Sequence, residues 1–168
     1  SGDSSKTWTV SARFVDVDLD RPRYRMTAMY QVDPKLQLGV EYNPKAEEVG
    51  PLLNYMIQLE TEHKPMLNFG LSSDRIGTPP GPMCYYVTVA KTFQNRFVPY
   101  VSLNYSEHDD ELNFPFGMSI FLTPKWVLLP MNDGKKSHLM LTHRGESNSI
   151  SLLWVWYKHP GISFSWHF

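Results

Sequence analysis

The chain has 168 residues, of which 42% are hydrophobic and 14% aromatic, and its formal net charge is -1. This length suits one domain, and a charge so close to zero gives no electrostatic reason to expect a nucleic-acid partner. The single cysteine, Cys84, excludes an internal disulfide and a cysteine-rich metal site. The sequence contains no run of apolar residues long enough for a membrane-spanning helix.

The first residues, SGDSSK, are small and polar and predict a disordered lead-in over residues 1–6. From residue 7 to residue 168 we predict a single domain, because apolar and polar side chains alternate in one segment after another, as in half-buried β-strands. In LQLGVEYNP, for example, Leu38 and Tyr42 share one face while Gln37 and Glu41 share the other. The alternation predicts about twelve strands, in the order TWTVSARF, YRMTAMYQV, LQLGVEYNP, LNYMIQLE, MLNFGLS, CYYVTVA, FVPYVSLNY, FPFGMSIFL, WVLLPM, HLMLTH, SISLLWVWY and ISFSWHF.

The connections between these segments follow a regular pattern of lengths. The odd-numbered ones, such as DVDLDRPR and NPKAEEVG, are generally longer than the even-numbered ones, such as DPK and TPK. An even number of strands places both chain ends on the same side, and outer-membrane barrels have their short turns on that periplasmic side. Pro99, Pro115 and Pro130 fall inside predicted strands, where each removes a ladder hydrogen bond and predicts a bulge or a strand end.

The residues on the two faces decide between a soluble sheet and a membrane barrel. A soluble sheet also alternates, with its apolar face on a core. Here large aromatic residues recur near strand ends of the apolar face, and unpaired charges on the other face would be costly in a dry core. We therefore predict a lipid-facing set of Trp8, Phe14, Tyr30, Leu38, Tyr42, Ile57, Phe69, Val101, Phe116, Trp154 and Phe164. The predicted lumen-facing set is Arg13, Arg25, Gln37, Glu41, Asn54, Gln58, Glu60, Asn68, Ser102 and Asn104.

The C-terminal octapeptide GISFSWHF resembles the assembly signal of bacterial outer-membrane β-barrel proteins. In that signal a terminal aromatic residue follows alternating apolar positions, and here Phe168 would be the terminal residue and Ile162, Phe164 and Trp166 the alternating ones. Gly161 stands one place away from the usual glycine position. The resemblance implies export by a signal peptide, recognition by the outer-membrane barrel assembly machinery, and residence in a Gram-negative envelope with both termini periplasmic.

Candidates for chemistry are few in this sequence. THRGESNS places His143 near Ser147 and is faintly similar to the His-x-Ser-Asn-Gly stretch of outer-membrane phospholipases, but the spacing is longer and the segment is typical of a turn. The six histidines show no convincing ligand spacing, so we predict neither a metal nor a cofactor. The loop SSDRIGTPPGP is compatible with a constriction inside the barrel or with a rigid surface turn.

The predicted fold is all-β, a closed antiparallel transmembrane up-and-down β-barrel of about twelve strands with short loops. The predicted function is a porin-like passive channel for small solutes, or a structural subunit of an outer-membrane assembly, because the polar face mixes charges with amides and hydroxyls. We do not predict an enzyme; the alternatives are a lipid hydrolase using His143 and Ser147 and a soluble β-barrel that binds an apolar ligand. The expected partners are membrane lipids, lipopolysaccharide, the assembly machinery and other envelope subunits.

Overall fold

The structure is a computed structural model that describes residues 7–19 and 23–168, so the predicted lead-in over residues 1–6 lies outside the described residues. The described strands are β1 (Trp8–Val15), β2 (Tyr24–Gln31), β3 (Leu36–Asn43), β4 (Glu48–Gln58), β5 (Met66–Ser73), β6 (Met83–Ala90), β7 (Phe97–Ser106), β8 (Glu111–Asn113), β9 (Phe116–Phe121), β10 (Trp126–Asn132), β11 (Ser137–Arg144), β12 (Asn148–Val155) and β13 (His159–His167). One 3₁₀ turn, Pro44–Ala46, joins β3 to β4. No helix among the described residues is long and apolar enough to cross a membrane.

The strands form one closed antiparallel sheet. Each strand pairs with its neighbour in sequence, except that β8 and β9 both pair with β7. Strand β1 also pairs with β13, with Ala12 opposite Phe164 and Val10 opposite Trp166. The carbonyl of Phe168 accepts the backbone N–H of Trp8 at 2.7 Å. The predicted closed up-and-down barrel is therefore confirmed, with β1 and β13 as the closing pair.

Strands β8 and β9 together form one strand of the barrel. Both pair with β7 in the same register, with Asn113 opposite Asn104 and Phe116 opposite Val101. The ladder is interrupted at Phe114 and Pro115, where the Pro115 carbonyl still accepts the Ser102 N–H at 2.8 Å. Because proline has no N–H to donate, the strand breaks there and the barrel has twelve strands.

Two other prolines are accommodated without ending a strand. Pro99 lies within β7 and Pro130 within β10. The β9–β10 pairing omits Leu129 and Pro130 but resumes in the same register at Met131. This loss of pairing on one side of β10 agrees with the missing N–H of proline.

Several strand limits differ from the sequence-based expectation. Strand β4 begins at Glu48, so the predicted NPKAEEVG connection is shorter, and Gly50 and Pro51 are paired with β3. Strand β13 begins at His159 instead of Ile162. Glycine and proline are poor indicators of strand in sequence, but backbone pairing to a neighbour holds them in extended conformation.

The two ends of the barrel carry different connections. We call the end with both chain termini the termini end; it carries the connections β2–β3, β4–β5, β6–β7, β9–β10 and β11–β12. The opposite end, called the loop end, carries the β1–β2, β3–β4, β5–β6, β7–β8, β10–β11 and β12–β13 connections. A small apolar cluster of Val15, Val17 and Val155, packed against Ile76 and Trp156, lies at the loop end.

Glycines allow close contacts along the inner wall. A Cβ on Gly39 would lie 2.2 Å from the Ala28 carbonyl oxygen, so only glycine fits beside the backbone there. A Cβ on Gly70 would instead meet the Tyr86 ring at 2.1 Å, which shows that this ring lies across the neighbouring strand. These contacts require glycine for packing and not for an unusual backbone angle.

Candidate functional site

A buried carboxylate organises the interior near the loop end. Glu41 is 2% exposed, and its Oε2 accepts a hydrogen bond from Arg25 Nη2 at 2.8 Å. Asn43 Nδ2 donates to Oε1 at 2.9 Å, and the Ser73 hydroxyl lies 2.7 Å from Oε1 and 3.0 Å from Oε2. Strands β2, β3 and β5 are thus joined through the Glu41 carboxylate. A buried ion pair is stable when further hydrogen bonds, such as those from Asn43 and Ser73, satisfy the charged group.

A second network ties the β5–β6 connection to the end of β7 and to the loop that follows it. Asp74 accepts a hydrogen bond from the buried hydroxyl of Ser106. Arg75 Nη1 contacts Asp109, and Arg75 Nη2 donates to Asp109 Oδ1 at 3.2 Å. The next residue, Ile76, packs on the apolar cluster at the loop end. The start of this connection, at Asp74, Arg75 and Ile76, is therefore packed against the mouth.

Two adjoining cavities lie in this part of the interior. One, of about 220 Å³, is lined by residues that include Arg13, Arg25 and Glu41. The other, of about 390 Å³, is lined by residues that include Tyr86, Tyr100 and Ser102. Ser72, Ser73, Arg75, Met131 and Asp133 line both. Arg75 therefore lies where the two cavities adjoin.

The turn between β10 and β11 adds a further polar contact to the first cavity. The backbone N–H of Trp156 donates to His138 Nδ1 at 3.1 Å, so Nε2 carries the proton that is donated to Asp133 Oδ2 at 2.8 Å. Burial raises the pKa of Asp133, but the hydrogen bonds from His138 and the Lys136 and Lys135 backbone outweigh it, and the pKa lies below its ordinary value. The two ring nitrogens of His138 contact Asp133 and the Trp156 backbone, so this pair positions the turn.

The ion pair at the mouth also fixes the charge state of Asp109. Hydrogen bonding from Arg75 is the main influence and lowers the pKa of Asp109 below its ordinary value, against a smaller opposing effect of burial. Asp109 is therefore ionised over the whole neutral range and remains available to Arg75. This contact connects the β5–β6 connection to the loop that follows β7.

Towards the termini end the inner wall carries amides and hydroxyls in place of charges. Asn54 Nδ2 donates to Gln37 at 3.4 Å, and the Tyr86 hydroxyl donates to the same Asn54 at 3.3 Å. Hydroxyl pairs join neighbouring strands, as in Thr88 with Ser102 at 2.7 Å. Uncharged polar groups of this kind interact with water and neutral solutes without selecting a sign of charge.

The outer wall is a continuous apolar surface. Outward positions in the middle of the strands are exposed and aliphatic, and include Leu38, Val40, Val87, Val101, Leu103 and Leu152. Exposed aromatic residues near the termini end are Trp8, Tyr30, Tyr55, Trp126 and Trp166. Those near the loop end are Tyr24, Tyr42, Tyr85, Tyr105 and Trp154. The alternating outward positions of the described strands contain no Asp, Glu, Lys or Arg.

Most residues predicted for one face of the barrel are found together on that face. Trp8, Tyr30, Leu38, Tyr42, Ile57, Val101, Phe116 and Trp154 are exposed, and Phe14, Phe69 and Phe164 are partly exposed at the same alternating positions. Arg13, Arg25, Gln37, Glu41, Asn54, Gln58, Asn68, Ser102 and Asn104 occupy the intervening positions and are buried or partly buried. The predicted assembly-signal residues Ile162, Phe164 and Trp166 lie in β13, and Phe168 follows it.

Glu60 lies apart from the other predicted interior residues. It is in the β4–β5 connection at the termini end and is exposed. Its Oε1 accepts the Thr92 backbone N–H at 2.6 Å and Lys91 Nζ at 3.0 Å. These contacts, with the Thr92 backbone as the largest influence, lower the pKa of Glu60. Glu60 therefore joins two connections at the rim.

Sequence reasoning missed Ser73, Asp74, Arg75 and Asp133 as interior residues. Each lies at the end of a strand or in a connection, where alternation no longer tells which way a side chain points. For Ser73, Asp74 and Arg75 the only signal was the length of SSDRIGTPPGP, which is compatible with a constriction or a surface turn, and for Asp133 there was no signal in the sequence.

The two residues of the hydrolase alternative lie near the termini end. The His143 ring packs against Trp126, with ring centroids 4.7 Å apart. Ser147 is exposed in the β11–β12 turn, where its carbonyl accepts the His167 N–H at 2.8 Å. Over residues 7–19 and 23–168, no group of three or more histidine, cysteine or acidic residues is arranged to hold a metal ion.

No protein-family model matches the chain, and no curated protein matches it. What the residues themselves establish is a closed twelve-stranded antiparallel β-barrel with an apolar outer wall and a polar interior.

Proposed function

We propose that this chain is an integral β-barrel of a bacterial outer membrane and forms a narrow passive channel for small uncharged polar solutes. The observation that carries the proposal is the outer wall, where exposed aliphatic residues are bordered at both ends by aromatic ones. Tryptophan and tyrosine favour the headgroup region because their rings are apolar with one polar edge. In this placement both termini are periplasmic, and acyl chains and lipopolysaccharide surround the wall.

The soluble alternative is disfavoured by the distribution of apolar surface. Soluble monomers rarely expose contiguous apolar patches larger than roughly a few hundred Å². Here the apolar wall extends around the closed sheet, and even in the middle of a strand a residue such as Val101 is 49% exposed. The interior, where an apolar ligand would have to bind, combines apolar residues such as Met131 with arginine, carboxylate, amide and hydroxyl groups. Lipid on the outside and water on the inside satisfy both surfaces.

The chemistry of the interior supports a solute path that is not selective for charge. The charged groups near the loop end are largely neutralised by one another, as in the Arg25–Glu41 and Arg75–Asp109 pairs. The remaining wall offers amide and hydroxyl groups. A ring of one charge sign, which selective ion pores use, is not formed by the described residues of this wall.

A structural subunit is the second candidate, and the β5–β6 connection favours it. Asp74 and Arg75 tie this connection to the end of β7 and to the loop that follows it, and Ile76 seals it against the apolar cluster. A barrel closed in this way would contribute its wall to an assembly instead of conducting solutes.

Two measurements test the proposal. First, the purified protein should require detergent to remain monodisperse and should run faster on a gel before heating than after; a monodisperse protein without detergent would contradict membrane residence. Second, planar bilayers containing the folded protein should show small, weakly selective currents, which Arg75→Ala should increase by removing a long side chain from the place where the two cavities adjoin. A silent wild type together with a silent Arg75→Ala variant would refute the channel and favour the structural subunit.

A further inference from the structure

A groove at the termini end combines two arginines with aromatic and aliphatic surface. We call it the termini-end groove; it has a volume of about 520 Å³ and is lined by Asn95, Arg96, Phe121, Leu122, Thr123 and Arg144, among others. It lies where the β6–β7 and β9–β10 connections meet the end of β11. It is separate from the two cavities of the loop end, with which it shares no lining residue.

Backbone hydrogen bonds hold both arginines in place. The Phe121 N–H donates to the Arg96 carbonyl at 2.9 Å, and the Arg144 N–H donates to the Lys125 carbonyl at 2.8 Å. Gln94 and Asn95, just before Arg96, both have positive φ angles, of 54° and 52°, as in a type I′ turn. The two side chains are therefore positioned on either side of the β9–β10 turn by regular pairing at strand ends.

Each guanidinium rests against a phenylalanine ring. The Arg96 guanidinium carbon lies 5.7 Å from the centre of the Phe97 ring, and that of Arg144 lies 5.5 Å from the centre of the Phe121 ring. Arg144 thus reaches from the end of β11 across the β9–β10 turn to Phe121, the residue whose N–H donates to the Arg96 carbonyl. A guanidinium stacked on a ring keeps its N–H donors free at its edge.

Neither arginine forms an ion pair with an acidic side chain of residues 7–19 or 23–168. Within the part of the chain that the structure describes, the ion pairs of arginine and lysine involve Arg25, Arg75, Lys91 and Lys135, but not Arg96 or Arg144. Lys125 adds a third cation at the same turn. Two guanidiniums on one groove repel each other, and an anion bound between them would offset this repulsion.

We infer that the termini-end groove binds a phosphate group. Arginine donors arranged as planar forks match the geometry of phosphate oxygens, which can accept hydrogen bonds from both guanidiniums at once. Leu122, which is exposed beside them, offers apolar surface for a chain attached to the phosphate. The phosphate would come from the headgroup of an anionic phospholipid or from free phosphate. The lipid source rests on the proposed membrane residence, whereas binding of free phosphate does not.

The test compares two double variants that each remove two positive charges from the same end of the barrel. Arg96→Gln with Arg144→Gln removes the groove cations, and Lys35→Gln with Lys64→Gln removes exposed cations of the β2–β3 and β4–β5 connections. Folding of every variant is checked by the mobility of the unheated protein on a gel. Binding is measured calorimetrically in a non-ionic detergent with inorganic phosphate, short-chain phosphatidylglycerol and short-chain phosphatidylcholine.

The wild type is expected to bind phosphatidylglycerol more tightly than phosphatidylcholine. At about tenfold for each guanidinium, the double arginine variant should bind about a hundredfold more weakly than the wild type. The lysine variant should bind within about twofold of the wild type, since it changes charge but not the groove. Binding of inorganic phosphate as well would identify free phosphate as a sufficient ligand; binding of phosphatidylglycerol alone would assign the site to lipid.

Equal binding by the wild type and the arginine variant, or no binding of either phosphate probe to folded protein, would overturn the inference. Neither result would affect the proposed membrane residence, which is measured separately by the detergent requirement. Conversely, a protein that is monodisperse without detergent but binds inorganic phosphate through Arg96 and Arg144 would refute the proposed function and retain the site.

Discussion

The proposed lipid exposure of the wall can be tested by placing the same charge at two heights. Val101 lies in the middle of β7, four residues from both Phe97 and Tyr105, and is 49% exposed. Val49 lies one residue from the loop-end start of β4 and is 70% exposed. Replacing each valine by arginine is the same chemical change on the same outer surface, so the difference between the two variants reports depth alone.

The expected magnitudes differ between a bilayer and water. Arginine near the middle of a lipid-facing strand destabilises a membrane barrel by about 2–4 kcal/mol, whereas near the interface the cost falls to about 0–1 kcal/mol. Val101→Arg should therefore lower the free energy of unfolding by about 2–4 kcal/mol and Val49→Arg by less than about 1 kcal/mol. If the wall faced water, both exposed substitutions would stay within about 0.5 kcal/mol of the wild type.

The assay is reversible urea unfolding of the protein in phospholipid vesicles, followed by tryptophan fluorescence. Trp8, Trp126, Trp154 and Trp166 lie on the outer wall and should change emission when they leave the bilayer. A pair of variants that unfold at the same free energy as the wild type would refute the reasoning. A loss of stability by Val49→Arg as large as that by Val101→Arg would also refute it, because the cost would then not depend on depth.

Glu41→Ala should destabilise the folded barrel by about 3 kcal/mol in vesicle unfolding, because it strands the Arg25 charge; addition of Arg25→Met should restore part of the loss, and a fully additive double variant would contradict the pairing. Gly39→Ala should cost at least about 2 kcal/mol, since its Cβ would meet backbone, whereas Gly50→Ala, whose Cβ would make only an ordinary contact with Met83 Sδ at 3.9 Å, should stay within about 1 kcal/mol. Equal losses in the two glycine variants would contradict the close contact. The folded-state pKa of Asp133 lies below its unfolded value, so its stabilising effect is complete above about pH 4 and is lost as the pH falls through the folded-state pKa. The stability difference between the wild type and Asp133→Asn should therefore shrink between about pH 5 and pH 2, and a constant difference would show that ionisation of Asp133 does not contribute.

Much of the architecture is local information and follows from the sequence. A period of two in hydrophobicity predicts strands, and it also predicts which residues share a face, such as Leu38 with Tyr42 and Gln37 with Glu41. Short connections between successive strands leave few topologies other than a meander. The count of about twelve strands followed from these two features and agrees with the closed barrel.

The candidate site was only partly predictable. Arg25 and Glu41 were both expected inside, since each alternates with apolar neighbours. That they bind each other, and that Ser73 and Asn43 complete the carboxylate's hydrogen bonds, depends on which strands are adjacent and in what register. Register cannot be read from alternation, because a shift of two residues preserves the faces and changes every partner.

The sequence alone therefore determined the strands, their order and their two faces, because these depend on the periodicity of single segments. Only the tertiary structure decided three other features: β8 and β9 form one interrupted strand, Ile76 of the β5–β6 connection packs on Val15 and Val155, and Arg144 reaches Phe121 from another strand. These features join residues far apart in sequence, and they arise when β1 pairs with β13 and fixes the stagger of all strands at once.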